Sequence, residues 1–412
     1  MNIELINTGS ELLFGRVLNT HQQWLCRQLT DLGYLVSRQV CVADDGPSIQ
    51  TAVREALSRA DFIIVTGGLG PTSDDLTRDL IAQLLGRKLI LDIEILRQLE
   101  AYFTQRKRTM LESMKVQALV PEGARVLPNP NGSAPGLAMQ SGEKWLVLLP
   151  GPPRELRPMF TASVIPILQR AFPLQSKFIC RTLKTTGLGE SAVEERIAGP
   201  LRPLLDAGLE IGYCARVGEV DVRLVAKGEN ADKLAADGER IIRSLLPSRI
   251  FGLNDDTLEL AVVRLLTESG QTVALAESCT GGYIAHRLTN VPGVSRVFAG
   301  GCVTYSNAAK ISQLGVHPEM LAAHGAVSPE VAREMAAGAR RVFDTDFALA
   351  VTGIAGPDGG TDDKPVGTVY IALASATETT AQRHFFPFDR ETFKFITSQT
   401  ALDALRLAVT RL

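Results

Sequence analysis

Short apolar runs alternate with stretches of helical periodicity in the first part of the chain. In order, this pattern predicts strand 3–8, helix 19–32, strand 37–42, helix 48–59 and strand 62–66. Such a βαβ rhythm is typical of a parallel sheet covered by helices. A further strand at 144–149 ends in Pro150-Gly151-Pro152-Pro153, and a helix follows from Arg154. We therefore expect a doubly wound α/β domain over residues 1–172.

The order of elements changes after this domain. The predicted elements are strand 178–186, helix 190–205, strands 210–215 and 220–227, and helix 230–246. This β-α-β-β-α order predicts a small α+β domain over residues 173–252.

A third region, residues 253–412, returns to an α/β pattern. It is predicted to contain helix 257–269, an apolar strand at 272–275, strands 297–305, 347–352 and 367–374, and a long last helix at 390–412. Three folded domains suit a chain of 412 residues, which is too long for one hydrophobic core.

Composition narrows the class of protein. The chain is 45% hydrophobic and 21% charged with a net charge of -2, which gives no basic excess for binding nucleic acid. No apolar stretch reaches the ~20 residues that cross a bilayer, and the start lacks the order of a signal peptide. The 6 cysteines are scattered without the spacing of a zinc site or a disulfide framework. We expect a cytosolic protein with no membrane or direct nucleic-acid partner.

A candidate nucleophile follows the strand at 272–275. Residues 276–282 read Ala-Glu-Ser-Cys-Thr-Gly-Gly, which predicts that a strand delivers Ser278 onto a glycine turn that opens a helix. Thr280 and the backbone N–H groups of Gly281 and Gly282 are candidate donors to an oxyanion. Cys279 is an alternative nucleophile, although a free cysteine is more often buried packing.

The base for Ser278 has to come from a distant part of the sequence, because no histidine lies near it. Strand 297–305 ends at Tyr305, and Lys310 follows in the next helix. A lysine that loses solvent has a lowered pKa and can act as a base. From the residues alone, a solvated lysine is the more common outcome.

A glycine-rich segment, 66–77, follows the strand at 62–66 at the edge where open α/β sheets bind ligands. Its glycines, Gly67, Gly68 and Gly70, allow close approach to phosphate oxygens. Asp74 and Asp75 favour phosphate only with a cation between them, which suggests a Mg²⁺-bridged site. The alternative is a tight turn whose aspartates cap the next helix.

Further loops with glycine lie at 128–136, at 149–155 and at 352–360, each next to a predicted strand. They are either ligand loops or simple connections. The loop at 352–360 is suited to closing over a ribose phosphate.

These motifs resemble those of the CinA family over essentially the whole chain. The resemblance rests on residues 9–13, 67–77, 129–136, 149–155, 277–282 and 353–360. It implies a first domain similar to the molybdopterin-binding proteins MoaB and MogA, a KH-like middle domain, and a C-terminal domain similar to the PncC amidases. It also suggests a homodimer.

For the first domain, the resemblance implies hydrolysis of the pyrophosphate of ADP-ribose with Mg²⁺ or another divalent cation. Asp74 and Asp75 would hold the metal. The residues that would contact the nucleotide are Glu11, Gly67, Gly68, Gly70, Thr77, Asn131, Gly132, Ser133 and Glu155. The chain departs from its relatives at His21, where they commonly have asparagine.

For the C-terminal domain, the resemblance implies deamidation of nicotinamide mononucleotide by Ser278, with Tyr305 and Lys310 as partners and without a metal. In our mechanism, Lys310 takes the serine proton, directly or through Tyr305. The expected substrate contacts are Gly281, Gly282, Gly353, Gly356, Gly359, Gly360 and Arg390. Phe388 stands where relatives tend to have glycine, which weakens the assignment of Arg390.

The competing hypothesis is a non-catalytic protein, either a pterin or nucleotide binder or a partner in competence and DNA damage. The near-neutral charge argues against direct DNA binding. The middle domain offers Gly187-Leu188-Gly189-Glu190, which lacks the spacing and basic residues of a KH nucleic-acid clamp. We interpret that domain as a spacer.

Overall fold

The computed structural model describes residues 1–410, which form two compact units. The first unit spans Met1–Ile179, and the second begins at Cys180. None of the helices between residues 1 and 410 combines the length and the apolar character needed to span a bilayer.

The first unit is a doubly wound α/β domain. Its strands are β1 (Ile3–Thr8), β2 (Val36–Val42), β3 (Phe62–Thr66), β4 (Leu89–Leu91), β5 (Leu119–Pro121), β6 (Arg125–Leu127), β7 (Gly136–Ser141) and β8 (Lys144–Leu149). Its helices are α1 (Ser10–Leu13), α2 (Thr20–Asp31), α3 (Gly46–Arg59), α4 (Thr77–Leu84), α5 (Ile93–Gln105), α6 (Pro153–Met159) and α7 (Ile165–Ala171). The main sheet has the order β2-β1-β3-β8-β7-β6, and β4 pairs with β5 alone.

Alternation along the central strands builds a core on each face of this sheet. Strand β3 directs Ile63 and Val65 into one cluster, together with residues of α3 and α4. It directs Phe62 and Ile64 into the other cluster, against α2 and α6. Because β2, β1, β3 and β8 run parallel, their carboxyl ends meet at one edge, where the first glycine-rich segment lies.

The second unit contains the two remaining sheets. Its strands are β9 (Phe178–Thr186), β10 (Glu210–Arg216), β11 (Glu219–Lys227), β12 (Ile250–Leu253), β13 (Val273–Glu277), β14 (Phe298–Val303), β15 (Phe347–Gly353), β16 (Thr368–Ala374) and β17 (Thr379–Phe385). Its helices are α8 (Glu190–Asp206), α9 (Ala231–Leu245), α10 (Leu258–Ser269), α11 (Tyr283–Thr289), α12 (Asn307–Leu314), α13 (Pro318–His324), α14 (Pro329–Phe343) and α15 (Arg390–Thr410). The sheet orders are β10-β11-β9-β12 and β14-β13-β15-β16-β17.

The second of these sheets has helices on both faces, and β13 lies between two parallel neighbours. Val273 and Leu275 of β13 enter a core formed with α10, α11 and α15. Ala274 and Ala276 point to the opposite face, into a core formed with α14. Odd-numbered and even-numbered residues of β13 thus point to opposite faces of the sheet. This parity decides where the residues after β13 point.

The fold class predicted from the sequence is confirmed: a doubly wound domain, a small α+β domain and a C-terminal α/β domain. The strand predicted at 297–305 is shorter in the structure, where β14 spans Phe298–Val303. Helix α15 begins at Arg390 as predicted, and the last two residues of that prediction lie outside the described residues. The α+β and C-terminal regions fall in the same compact unit.

Candidate active site

Ser278 directly follows β13, in the middle of the C-terminal sheet. Its backbone N–H donates to the carbonyl of Val351 on β15 at 3.0 Å, which ties the turn to the sheet. The turn closes through Gly281 and Gly282, whose φ angles of 63° and 93° lie in the left-handed region that favours glycine. Ser278 shares the parity of Ala274 and Ala276, so its side chain faces the α12 and α14 side.

Lys310 meets Ser278 on that side. It lies on α12, whose first turn is capped by the Ser306 hydroxyl. The Lys310 Nζ donates to the Ser278 Oγ at 3.0 Å and to the Thr304 carbonyl at 2.8 Å. The lysine is 1% exposed and, among residues 1–410, has no acidic partner within ion-pair distance. Burial therefore lowers the pKa of Lys310.

Glu277 supports the turn of the candidate site and was not predicted from the sequence. Its carboxylate is buried and accepts hydrogen bonds from the backbone N–H groups of Gly282, Ile284 and Ala285 at 3.0, 3.1 and 2.8 Å. These groups open α11, so Glu277 satisfies the amino end of that helix. The available signal was an acidic residue at the end of an otherwise apolar, central strand.

This arrangement corrects the predicted oxyanion donors. The Gly282 amide is bonded to Glu277, and the Gly281 amide donates to the Ser278 carbonyl at 3.1 Å. Within residues 1–410, the amides of Cys279 and Thr280 are not used in backbone hydrogen bonds. Both lie close to the Cys279 sulfur, and they are the remaining candidates in this turn for donors to an oxyanion. The Thr280 hydroxyl is fully buried and has no partner among the described residues.

Cys279 is unsuited to act as the nucleophile. Its side chain belongs to the core formed with α10 and α11. Burial raises the pKa of the Cys279 thiol to about 12, so the reactive thiolate is absent at neutral pH.

Tyr305 lies at the mouth of the site rather than between Ser278 and Lys310. Its side chain is 62% exposed, and its hydroxyl accepts a hydrogen bond from Arg390 at 2.7 Å. Arg390 also donates to the carbonyl of Gly356 at 2.7 Å, which fixes the glycine-rich loop. The direct contact of Lys310 with Ser278 makes a proton relay through Tyr305 unnecessary.

These side chains border a cavity of about 210 Å³. Ser278, Lys310, Tyr305, Gly353 and Arg390 line it. Gly359 and Gly360 lie in the exposed part of the loop and do not line it. The structure thus brings together the candidate nucleophile Ser278, Lys310 and Arg390, and leaves the tip of the predicted loop outside.

In the first unit, the glycine-rich segment packs closely against β1 and α4. A side chain at Gly67 would lie 2.6 Å from the Thr8 hydroxyl, and one at Gly68 would lie 2.0 Å from the Thr77 hydroxyl. Thr77 is fully buried, and its hydroxyl lies 3.4 Å from that of Thr8. The glycines are therefore required for packing, whether or not a phosphate binds beside them.

The predicted metal ligands have different surroundings. Asp75 accepts hydrogen bonds from the Thr72 amide at 3.0 Å and from its hydroxyl at 2.5 Å, and Gly70 packs against the same carboxylate. Asp74 is exposed. No group of three or more acidic, histidine or cysteine side chains within residues 1–410 is placed to hold a metal. The two carboxylates fit Mg²⁺ only if ligand phosphates supply the other oxygens.

The two proline-rich loops of the first unit are joined to each other. The Asn131 amide donates to the Arg154 carbonyl at 3.0 Å, and that of Asn129 donates to buried Glu155 at 2.7 Å. Gly132 packs on Glu155, where a side chain would lie 1.9 Å from the carboxylate. The predicted contact residues Asn131, Gly132 and Glu155 therefore form one cluster.

The remaining residues of interest in this unit are the predicted contacts Ser133 and Glu11 and the divergent position His21. Ser133 borders a cavity of about 300 Å³ beside α5. Glu11 is exposed on α1. His21 is half-buried near Gly151, its Nδ1 has no partner among residues 1–410, and burial lowers its pKa.

Comparison with known proteins assigns each region of the chain. Residues 4–170 match a family described as "Probable molybdopterin binding domain". Residues 180–252 match "Damage-inducible protein CinA KH domain", and residues 255–409 match "CinA C-terminal domain".

Relatives match over nearly the full length. A protein of Symbiobacterium thermophilum, named after competence and damage induction, is 49% identical over 91% of this chain and 88% of the relative. The "CinA-like protein" of Akkermansia muciniphila is 44% identical over 98% of this chain and 97% of the relative. Among solved structures, a competence/damage inducible protein CihA from Agrobacterium tumefaciens is 41% identical, with a TM-score of 0.36, over 37% of this chain and 93% of that one.

Full-length relatives far above 30% identity, together with matches to the family's KH and C-terminal domains, place this chain in the CinA family.

Proposed function

We propose that the C-terminal domain is an amidohydrolase that deamidates nicotinamide mononucleotide to nicotinate mononucleotide and ammonia. The observation that carries this proposal is the 3.0 Å contact between the Ser278 hydroxyl and the buried Lys310 amine. A serine paired with a neutral lysine is a known variant of the nucleophile and base arrangement.

The proposed reaction proceeds in two stages. The neutral Lys310 amine takes the proton of Ser278 as its oxygen bonds to the carboxamide carbon. The resulting oxyanion accepts hydrogen bonds from the amides of Cys279 and Thr280. The C–N bond then breaks, Lys310 returns the proton to the leaving nitrogen, and ammonia departs from the acyl-enzyme.

In the second stage, water attacks the acyl carbon and Lys310 takes one of its protons. The Ser278 oxygen leaves and recovers that proton from Lys310. The products are the free carboxylate and the original enzyme, so no metal or redox partner is needed to balance the reaction.

Two features support a nucleotide amide as the substrate. The cavity of about 210 Å³ suits a single aromatic ring with its carboxamide. Arg390 lies at its mouth, held by Tyr305 and the Gly356 carbonyl, where a ribose phosphate would emerge. An arginine is well matched to phosphate oxygens.

The test is ammonia release from nicotinamide mononucleotide by the full chain. We expect Ser278→Ala to abolish turnover and Cys279→Ala, the matched control on the same turn, to keep it. If only the cysteine variant is inactive, the nucleophile is misassigned. If the unmodified chain releases no ammonia, the non-catalytic hypothesis gains support.

We also propose that the first domain binds a nucleotide pyrophosphate with Mg²⁺ and cleaves it, with ADP-ribose as the substrate. Support comes from the cluster of Asn131, Gly132 and Glu155. The loop at 149–155 that carries Glu155 is joined to the glycine-rich segment by a 2.9 Å hydrogen bond from the Gly67 N–H to the Leu149 carbonyl. Asp74, whose carboxylate is exposed, and Asp75 would hold the metal together with the ligand phosphates. The metal would neutralise charge that develops on the phosphates.

This second activity is tested by release of AMP and ribose 5-phosphate from ADP-ribose, with and without Mg²⁺. We expect Asp74→Asn to lower the Mg²⁺-dependent rate. Asp206→Asn, an exposed substitution in the other unit, is the charge-matched control. Equal rates with and without the metal would contradict the proposed role of Asp74.

A further inference from the structure

A second cavity of the second unit lies between the KH domain and the C-terminal domain. Its volume is about 750 Å³, within the range of sites for small ligands. One wall is formed by the loop at Gly187–Gly189 and by Arg249, and the other by His384, Phe386 and Leu407. None of its lining residues borders the Ser278 cavity, so it is a separate site.

Arg249 is the unusual group in this cavity. It is half-buried, and among residues 1–410 its guanidinium donates no hydrogen bond and has no acidic group within ion-pair distance. The guanidinium lies over Gly187, where a side chain would come within 2.5 Å of its Nη1. The loop therefore leaves room for a guanidinium that makes no hydrogen bond or ion pair with the described residues.

The other charged side chains of the lining are either exposed or already paired. Glu190 and Glu378 are exposed. Arg216 is exposed and bonds to Asp221, and Asp403 is buried and bonds to Arg406 at 2.7 Å. Burial raises the pKa of Asp403, and the charge of Arg249 opposes that shift without an ion pair between the two. Because Asp403 is bonded to Arg406, the donors of Arg249 stay available to an anion. The chemistry of the cavity thus favours an anionic group at Arg249.

The same wall carries further donors. Helix α8 begins beside Arg249 with Gly189 as its N-cap, and no side chain caps it. The free N–H groups of a first helical turn favour an anion, and here they adjoin the unpaired guanidinium. Together they offer hydrogen-bond donors to a phosphate group.

The part of the lining that comes from the C-terminal domain includes aromatic and apolar side chains among polar ones. The rings of His384 and Phe386 stack with centroids 5.7 Å apart and an interplanar angle of 15°. Burial lowers the pKa of His384, which favours its neutral form. Ile371 and Leu407 continue this surface. A planar ring would bury its apolar area against these side chains.

We propose that this cavity binds a phosphate monoester that carries a planar ring and has the size of a nucleoside monophosphate. Its phosphate contacts Arg249 and the first turn of α8, and its ring lies against His384 and Phe386. The motif Gly187-Leu188-Gly189-Glu190, interpreted from sequence as part of a spacer, then forms the phosphate side of the site. This proposal is independent of the deamidase activity.

The test uses the full chain with 5′-AMP and, separately, inorganic phosphate. Hydrogen–deuterium exchange read by mass spectrometry locates binding even if another domain also binds the nucleotide. We expect 5′-AMP to protect residues 187–193 and 380–386, and phosphate to protect only 187–193. Arg249→Gln should raise the concentration of 5′-AMP that gives half-maximal protection about tenfold or more, as loss of a charge-assisted hydrogen bond does.

Two controls separate this result from a general effect on folding. Arg202→Gln removes an exposed arginine from α8 and should leave both patterns unchanged. His384→Ala should weaken protection by 5′-AMP and spare that by phosphate. The proposal is overturned if 5′-AMP protects neither segment, or if Arg249→Gln binds it as tightly as the unmodified chain does.

Discussion

Replacing Lys310 tests the proposed chemistry most directly. Lys310 is 1% exposed, and its amine donates hydrogen bonds to the Ser278 hydroxyl and the Thr304 carbonyl. A positioned general base contributes about 10²–10⁴-fold to a rate, which corresponds to about 3–5 kcal/mol of barrier. We therefore expect Lys310→Met to lower kcat for deamidation by about 10²–10⁴-fold.

Lys310→Arg separates the role of a base from that of a charge. Arginine keeps a positive charge beside Ser278 but cannot lose its proton at ordinary pH. If Lys310 acts as a base, Lys310→Arg should be as inactive as Lys310→Met. Ammonia release by an arginine variant near the rate of the unmodified chain would refute the reasoning.

The pH dependence follows from the same burial. Only the neutral amine accepts a proton, and burial lowers the pKa of Lys310 below the ordinary 10.5. The value of kcat/KM should therefore rise with pH through that lowered pKa and level off above it. A rate that falls across this window would contradict the mechanism.

Stability gives an independent measurement of the lowered pKa. Between the folded-state pKa and 10.5, the unfolded chain binds more protons at Lys310 than the folded chain does. The free energy of unfolding should therefore increase with pH across that window. Thermal denaturation of Lys310→Met should lack this part of the increase.

The remaining predictions concern the residues around Ser278 and Lys310. Cys279→Ala should keep kcat within a few-fold and lose about 1 kcal/mol of stability. Iodoacetamide should not lower the rate of the unmodified chain, because the Cys279 thiol is protonated and buried. Glu277→Gln should destabilise the domain by about 1–3 kcal/mol in thermal denaturation, because an amide accepts fewer hydrogen bonds, whereas exposed Glu268→Gln should change nothing. Arg390→Gln should raise KM for nicotinamide mononucleotide about tenfold or more but leave KM for nicotinamide riboside nearly unchanged; equal effects on both substrates would remove the phosphate contact.

The sequence predicted Ser278 for a physical reason that the fold preserves. An apolar strand followed by a glycine turn and a helix presents the residue after the strand at the edge of the sheet, and this local pattern does not depend on distant parts of the chain. The α/β alternation that placed β1, β3 and β13 is local in the same sense. These features were therefore accessible from composition and periodicity.

The state of Lys310 was not accessible in this way. It lies 32 residues beyond Ser278, and its loss of solvent depends on the packing of α12 against the sheet and the neighbouring loop. From the residues alone a solvated lysine was the more common outcome, and the family resemblance pointed to the pair. The prediction that the Gly282 amide donates to an oxyanion was wrong, because this amide already donates to the Glu277 carboxylate.

Strand parity explains how a buried glutamate and a buried lysine coexist in one site. Glu277 has the parity of Val273 and Leu275, so its carboxylate turns towards α11, where three amides compensate its charge. Ser278 has the opposite parity and turns towards α12 and Lys310. A carboxylate facing the lysine would raise its pKa and keep it protonated. The division of side chains between the two faces of β13 therefore leaves Lys310 without a counter-charge among residues 1–410, which is the condition for it to act as a base.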